Sequence, residues 1–292
     1  MAAAIPSKKP RVVVIGVNYE TDDLAVRFAN SVVHGGTAAD VDLVLVDNSE
    51  RTDSRGFFDR VRAVRPGTLC LKPPTNLGYF PGAHVGLQTY RRGGGDPDWV
   101  VVSNVDVEFR DRAFWAQLLA MDHRLLDGVL APWVWSDRLR CNVNPMMERR
   151  PHWLRMRFYK LVFKHYHILK CYEALSRLKN VVRGALSRAI GGRGGSSRNG
   201  GEARIVYAPD GSCLVFSRVF FDRGGSLEYP SFLFGEEIFV AEWARRLQLQ
   251  VLYEPRLRVW HDDHASTGVF RSRRSAAHVW RSAEYLADTF FP

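Results

Sequence analysis

The 292-residue chain has little cysteine and no pattern in it. Cys70, Cys141, Cys171 and Cys213 form no CxxC pair, and their spacing fits neither a zinc site nor a disulfide framework. Reduced thiols in a cytosolic protein are the expectation. No run of about 18 apolar residues exists, so no transmembrane helix is expected. Residues Met1–Pro10 lack the apolar core of a secretory signal and are expected to be disordered. No Gly-Lys-Ser/Thr follows a Gly-rich loop, and no GxGxxG fingerprint occurs, which excludes a Walker A site and a dinucleotide site of the ordinary kind. Acid is scarce in one place. Residues 149–203 hold 13 Lys and Arg against Glu173 and Glu202, in a chain of net charge +10. The remainder is therefore close to neutral. A general nucleic-acid binder carries its charge across a folded face, so nucleic acid is not expected as a partner.

What is present is an alternation of strand and helix signals, in a chain that is 46% hydrophobic and suits one large α/β domain with an insertion. Arg11–Tyr19 (RVVVIGVNY) is a Val-rich run of the kind a strand buried on both faces carries. Thr21-Asp22-Asp23 starts a helix with Leu24, Phe28 and Val32 behind it. Val41–Asp47 predicts a strand, Ser54–Val64 a helix, Thr68–Leu71 a short strand and Gly82–Arg91 a helix. Trp99–Ser103 predicts a strand, Asp111–Leu126 a helix and Val129–Trp135 a strand. Later strands are expected at Ile205–Ala208, Cys213–Ser217, Gln250–Tyr253 and Leu257–Trp260, with helices at Glu236–Leu247 and Ala276–Phe290. This predicts a doubly wound, mostly parallel sheet whose ligands bind at the carboxyl ends of strands, where Tyr19, Asp47 and Asp106 sit.

Ser136–Ala203 breaks the alternation. It reads as a basic helical insertion that ends in the Gly-rich linker 191–201. Leu175, Leu178, Val182 and Leu186 form one apolar stripe, with Arg177, Lys179, Arg183 and Arg188 beside it. Such mixing suits an anionic membrane surface, or packing on the core or in a homo-oligomer. The expected divisions are 1–10, 11–135, 136–203, 204–267 and a C-terminal helical part, 268–292.

Four motifs and a histidine carry chemistry, each with a plainer use. Asn104-Val105-Asp106 closes a buried strand. Its carboxylate is either a ligand for Mg²⁺ or Mn²⁺ on a substrate phosphate or the acceptor of an Asx turn, the commoner use of such a triplet. Asp47-Asn48-Ser49 either accepts from a base and ribose or caps the next helix. Tyr19 either stacks on that base or packs. Asn76–Gly86, with Gly78 and Gly82, is suited to bring backbone close to a diphosphate or sugar. Gly235-Glu236-Glu237 opens a helix. The helix dipole accounts for one acid there. It accounts less well for the apolar lead-in Phe232-Leu233-Phe234, which would shelter a carboxylate as a general base requires. His261 follows the last strand. Asp262, Asp263 and His264 are discounted as solvated.

In this order the motifs resemble glycosyltransferase family 2, enzymes of the GT-A fold. The resemblance runs from about Arg11 to Thr267 and is weakest around 140–203. Val17-Asn18-Tyr19-Glu20 resembles the opening V-T-Y-N, and Val46–Ser49 the V-D-N-x-S. Asn76–Gly86 is similar to N-x-G-[FY]-x-x-G-x-N-x-G, and Asn104–Asp106 stands at the D-x-D. Gly235–Glu237 stands at the E-D, and Val259-Trp260-His261 resembles the closing V-x-H. The resemblance implies a GT-A-like α/β fold and inverting transfer from a nucleotide-diphosphate donor, dTDP-rhamnose or a UDP-hexose. The acceptor it implies is a glycan or lipid-linked glycan of surface-polysaccharide synthesis. It places Val17, Tyr19, Asp47, Asn76, Gly78, Gly82, Asn104 and Asp106 on the donor, and Asp210, Gly211 and Ser212 on the acceptor. Asp106 and His261 fall on the Mg²⁺ or Mn²⁺ ion, and Glu236 and Glu237 on the catalytic pair, with Glu237 the base. Glu237 stands where Asp is usual, Asn104 is a weaker ligand than Asp, and Phe239 and Trp243 replace an Asp and an Arg. These departures leave a rival expectation: an inactive GT-A protein that acts as a peripheral membrane or polysaccharide-binding partner. The expected location is cytoplasmic, with peripheral attachment to the inner face of the membrane as its extension.

Overall fold

The computed structural model describes residues 11–32, 41–122, 128–175, 201–263 and 272–292. Its first half is β1 (Val12–Asn18), α1 (Asp22–Ser31), β2 (Val41–Asp47), α2 (Arg55–Val64), β3 (Leu69–Leu71), α3 (Tyr79–Arg92), β4 (Trp99–Asn104), β5 (Val107–Glu108) and α4 (Phe114–Leu119). Then come β6 (Val129–Ser136), β7 (Cys141–Asn142), α5 (Trp153–Phe163) and α6 (166–175). The chain closes with β8 (Arg204–Val206), β9 (Cys213–Ser217), α7 (Arg218–Asp222), α8 (Glu236–Arg246), β10 (Val251–His261) and α9 (Arg273–Phe290).

One sheet runs in the order β3-β2-β1-β4-β9-β6-β10-β5. The first four strands are parallel, β9 enters antiparallel between β4 and β6, and β10 lies parallel to β6. The Val-rich strands are buried on both faces, which is why they read as continuous apolar runs. Val13, Ile15, Val44, Val46, Val100 and Val102 face the layer of α3, α8 and α9. Val12, Val14, Leu43, Leu45, Trp99 and Val101 face α1, α2 and α4. Register brings Asn18 level with Asp47 and Val17 level with Asn104, so the motif residues share one carboxyl edge.

Three boundaries differ from expectation. The helix expected over Asp111–Leu126 is confined to Phe114–Leu119 among the described residues. Asp111 caps its start by accepting from the Ala113 and Phe114 backbone amides, and Phe114, Trp115 and Leu118 already fill the core. Two expected strands are one, β10, because a register shift between Glu254 and Arg258 absorbs Pro255 without ending the ladder. The helix α3 starts at Tyr79, ahead of Gly82. Met1–Pro10 and the stripe residues Leu178, Val182 and Leu186 lie outside the described residues.

The basic stretch is tied to the core by one buried carboxylate. Glu242 on α8 is fully buried and accepts from Arg150 Nε at 2.7 Å, Tyr207 Oη at 2.8 Å and Arg245 Nε at 2.9 Å. Arg150 also donates to the Phe290 carbonyl and lies over the Phe291 ring. Burial alone would raise the Glu242 pKa, but the bonds from Arg150, Tyr207 and Arg245 outweigh it and hold it below the ordinary value. Arg150→Ala is expected to cost about 3 kcal/mol in urea unfolding. That is the low end for a broken buried pair, because Tyr207 and Arg245 remain. A folded-state pKa below the unfolded value of about 4.3 contributes stability that is present above that value and lost as pH falls through the folded one. The variant's deficit should therefore shrink in acid. A deficit under about 0.5 kcal/mol at neutral pH would reduce the clamp to a surface ion pair.

Candidate active site

At the ends of β1 and β2, Asp47 is fully enclosed and its oxygens are committed. Oδ1 accepts from Asn18 Nδ2 at 3.1 Å, Ser49 N at 3.2 Å and Ser49 Oγ at 2.6 Å. Oδ2 accepts from Ser54 Oγ at 2.5 Å and from Arg51 Nε and Nη2 at 3.0 and 2.9 Å. Burial would raise its pKa; the bonds from Ser49, Ser54 and Arg51 hold it below the ordinary carboxylate value. Arg51 carries the network on to Asp22. Asp47 is thus the hub that joins β1, β2 and the start of α2. Tyr19 is half exposed beside it, with its hydroxyl 3.4 Å from Glu50.

The glycines after Asn76 answer to packing. Gly78 has φ of +88°, and a Cβ there would lie 2.0 Å from the Phe232 carbonyl oxygen. A Cβ on Gly82 would meet Asn48 Nδ2 at 3.0 Å and Val17 Cγ1 at 3.3 Å, and one on Gly86 would meet Ile15 and Val46. These residues seat α3 directly on the sheet. Asn76 Oδ1 accepts from Gly78 N, and Asn48 Nδ2 donates to the Gly78 carbonyl at 2.6 Å. The loop is therefore braced from β2 on one side and from the 229–235 loop on the other.

Asp106 and His261 meet at the carboxyl edge. Asp106 Oδ1 lies 3.1 Å from His261 Nε2, and Asn104 binds through its backbone to Ser212. His261 Nδ1 lies 3.0 Å from Asp263, whose other oxygen accepts from Ser136 Oγ. Asp263, discounted from sequence, thus orients the imidazole; its place two residues after the histidine was the available signal. His264 lies outside the described residues. Burial would lower the His261 pKa; the bond to Asp106 and the charges of Asp106, Asp263 and Asp210 raise it above the ordinary imidazole value. This donor set fits a divalent ion shared with a substrate. One carboxylate and one imidazole nitrogen converge, and a second carboxylate fixes the ring from behind, the usual outer partner of a metal-bound histidine. Among the described residues no group of three or more His, Cys, Asp or Glu converges, so the remaining positions would be left to substrate oxygens.

On the other side stand the two glutamates. Glu236 is buried, with its carboxyl turned towards the backbone amides of its own residue and of Phe234. Burial pushes it well above the ordinary carboxyl range, and the charge of Glu237 adds to this. Burial likewise raises Glu237, with Asp210 adding to it. Gly211 makes the room: a Cβ there would lie 2.7 Å from Glu237 Oε1. Tyr79 Oη donates to the Gly211 carbonyl at 2.9 Å, and Ser212 N donates to Asp210 Oδ1 at 3.0 Å. The 210–212 turn touches both halves, Gly211 against Glu237 and the Ser212 carbonyl against the Asn104 amide, and Asp210 lies within electrostatic reach of Glu237 and His261. Tyr79, Asp263 and Ser136 are the members that sequence reasoning missed. Phe239, at an unexpected aromatic position, is a core residue packed against Tyr229 and Phe80.

No protein-family model matches the chain, and no curated protein matches it in sequence. Solved structures do match in shape. The mannosyltransferase PcManGT from Pyrobaculum calidifontis, in complex with GDP-Man and Mn²⁺, aligns over 98% of this chain and 64% of its own, at 15% identity and a TM-score of 0.51. S. aureus TarS 1–349, in complex with UDP-GlcNAc, aligns over 94% and 66%, at 12% identity and 0.57. GalNAc-T7, with UDP, GalNAc and Mn²⁺, aligns over 94% and 48%, at 12% identity and 0.56. The chain thus spans less than two thirds of each of these proteins. At such identities the likeness is one of architecture, and it agrees with the mostly parallel sheet and its carboxyl-edge cleft: the chain has the GT-A fold of glycosyltransferases.

Proposed function

We propose that the protein is an inverting glycosyltransferase that uses a nucleotide-diphosphate sugar and Mg²⁺ or Mn²⁺. The observation that carries this reading is a half-buried carboxyl, Glu237, held over Gly211 and raised in pKa by desolvation, joined through the 210–212 turn to the strand end that bears the Asp106–His261 pair. In its ionised form Glu237 takes the proton of an acceptor hydroxyl. That oxygen bonds to the anomeric carbon as the bond to the diphosphate breaks and its electron pair leaves with the diphosphate. Asp106 and His261 would hold the ion, whose chemistry when bound is to offset the charge of the leaving group. Asp210 and Ser212 line the acceptor side, where a glycan or lipid-linked glycan would dock. Val17, Tyr19, Asn76, Gly78, Gly82 and Asn104 surround the donor side, with Asp47 setting its walls. The donor is a dTDP-, UDP- or GDP-sugar. The test is a thermal-shift panel of these sugars with and without Mn²⁺, since ligand binding raises stability by mass action. Metal-dependent stabilisation together with sugar transfer or hydrolysis supports the reading. Absence of turnover with every sugar favours the inactive GT-A protein, and absence of stabilisation by any nucleotide sugar removes the glycosyltransferase reading.

We further propose that the basic segment docks on a membrane surface. Leu154, Phe158 and Leu161 recur at helical spacing on α5 and are 55%, 49% and 68% exposed; Ile168 and Leu175 on α6 are 49% and 66% exposed. Residues 149–175 carry seven Lys or Arg against Glu173. Exposed apolar side chains in a segment where Lys and Arg outnumber the acids suit an anionic bilayer, whereas a second copy would oppose like charges. Residues 176–200 hold six more Lys or Arg and no acid. No described helix is long and apolar enough to cross a membrane. We expect vesicles with anionic lipid to co-sediment the protein at low salt and to release it at high salt. Phe158→Glu/Leu161→Glu should abolish the effect. Equal pelleting with neutral vesicles would overturn it, and mass growth with concentration would point to self-association.

A further inference from the structure

The catalytic pair is presented by a backbone that carries two left-handed residues in succession. Phe234 has φ of +73° and Gly235 of +84°. A phenylalanine in that region is disfavoured and persists only where its surroundings hold it. Gly235 is obliged to be glycine on a second ground: a Cβ would lie 2.4 Å from Ser282 Oγ and 2.7 Å from Leu286 Cδ1. The turn starts α8 abruptly, so that Glu236 and Glu237 stand in its first turn at the cleft.

Two hydroxyls hold the turn from outside the cleft. Ser282 Oγ, on α9, donates to the Phe234 carbonyl at 2.6 Å. Tyr229 Oη donates to the same oxygen at 2.9 Å, and the two hydroxyl oxygens are 2.7 Å apart. Both side chains are buried. A carbonyl with two acceptor sites is thereby satisfied inside the protein, away from water. The amide of Phe234, on the other side of the same residue, reaches the Glu236 carboxyl. Farther back, Phe232 stacks on His278 of α9 at 4.6 Å, and its carbonyl accepts from Tyr79 N. The path from α9 to the glutamates is therefore short: Ser282 and Tyr229 to the Phe234 carbonyl, and from there through Gly235, whose carbonyl accepts from the Phe239 amide, into the first turn of α8.

We propose that Ser282 and Tyr229 are positioning residues for the Glu236–Glu237 pair, holding the strained Phe234–Gly235 turn so that Glu237 lies over Gly211 rather than in solvent. This rests on Glu237 as the base. Neither hydroxyl touches substrate. Their work is to keep the first turn of α8 in the one place where a reacting hydroxyl meets the carboxylate. Misplacement by about 1 Å costs on the order of 10²-fold in rate.

The test compares Ser282→Ala and Tyr229→Phe with Glu237→Gln. The readout that needs no donor is a ¹³C-carboxyl NMR titration of labelled glutamate. In wild type these two glutamates should titrate above the ordinary range. In either positioning variant that pair should move down towards about 4.3 as water enters. Glu242, farther along the same helix and held by Arg150, should not move. The second readout is turnover in the full-length protein with Mn²⁺ and whichever of GDP-mannose, UDP-GlcNAc or dTDP-rhamnose gives the largest thermal shift. There, kcat should fall about 10- to 100-fold at unchanged donor affinity. An unchanged titration in a folded variant overturns the proposal. So does a shift of Glu242 equal to that of the pair, which would mean general loosening. If Ser282→Ala does not fold, Tyr229→Phe, which keeps the ring, carries the test. A downward shift of the pair together with full turnover in Glu237→Gln leaves the positioning intact and removes the base assignment instead.

Discussion

Glu237→Gln is expected to lower turnover by about 10²- to 10⁴-fold while nucleotide-sugar affinity stays within about twofold of wild type. The amide keeps the shape of the side chain over Gly211 and cannot accept the acceptor's proton. The donor side is unaltered, since Asp106 and His261 come from the β4–β5 turn and the end of β10 and not from α8. Glu236→Gln is expected to have the smaller effect. Successive helical residues point about 100° apart, and Glu236 is turned inward onto the Phe234 amide. If Glu236→Gln proves the more damaging, the roles of the two are reversed.

The pH dependence follows from burial. The base works ionised, so turnover must fall as pH drops through its pKa, and burial sets that limb well above the ordinary 4.3. The sign for stability is opposite to that of a salt-bridged acid. A carboxyl whose folded pKa is raised binds more protons folded than unfolded between the two values, so stability declines as pH rises through that window. Glu237→Gln and Glu236→Gln should therefore unfold at higher temperature than wild type in mild alkali, with the gain vanishing below about pH 4. An acid limb near 4 in kcat would contradict the burial argument even if the variant is inactive.

Most of the fold was legible because its strands are buried on both faces, and only continuous Val-rich runs satisfy that. Val12–Asn18, Val41–Asp47 and Cys213–Ser217 follow from composition and turn residues alone. The extent of α4 was not legible, since Asp111 caps a turn whose helix ends after Leu119, and periodicity does not mark that end. In the site, the acids and His261 could be named because rare side chains at strand ends are conspicuous. The function of the neighbouring glycines could not. Gly78 and Gly82 read as letting backbone approach a diphosphate or sugar, and Gly211 as an acceptor-side residue by resemblance, whereas each leaves room for a specific partner within the fold: the Phe232 carbonyl, Asn48 with Val17, and the Glu237 carboxyl. Contacts of that kind join residues 26 to 154 positions apart, on different elements, and leave no trace in spacing. Ser282, Tyr229 and Glu242 were missed for the same reason. Asp47 shows the converse. Its motif was plain, but the number of donors it satisfies, and so its weight in holding β1, β2 and α2 together, appears only in three dimensions.

Asp106→Ala is expected to abolish transfer and to remove the Mn²⁺ dependence of nucleotide binding, with little loss of fold. The contrast with Asp47 supplies the reason. Asp47 accepts from Asn18, Ser49, Ser54 and Arg51, and its loss would strand several buried donors. Among the described residues the Asp106 side chain hydrogen-bonds one partner, His261, which keeps Asp263 when Asp106 is gone. The backbone bond from Asp262 to the Asp106 carbonyl does not depend on the side chain. A carboxylate so lightly used by the fold, buried at a strand end beside an oriented imidazole, is available to an ion. His261→Ala should weaken the metal effect less severely, because a carboxylate remains. Asp263→Asn should lower metal affinity by about 10- to 100-fold through the ring it orients. Isothermal titration of UDP and GDP with and without Mn²⁺ reads all three. Should Asp106→Ala keep a metal-dependent affinity equal to wild type, its carboxylate serves only to anchor His261, and the ion, if any, is held by the nucleotide alone.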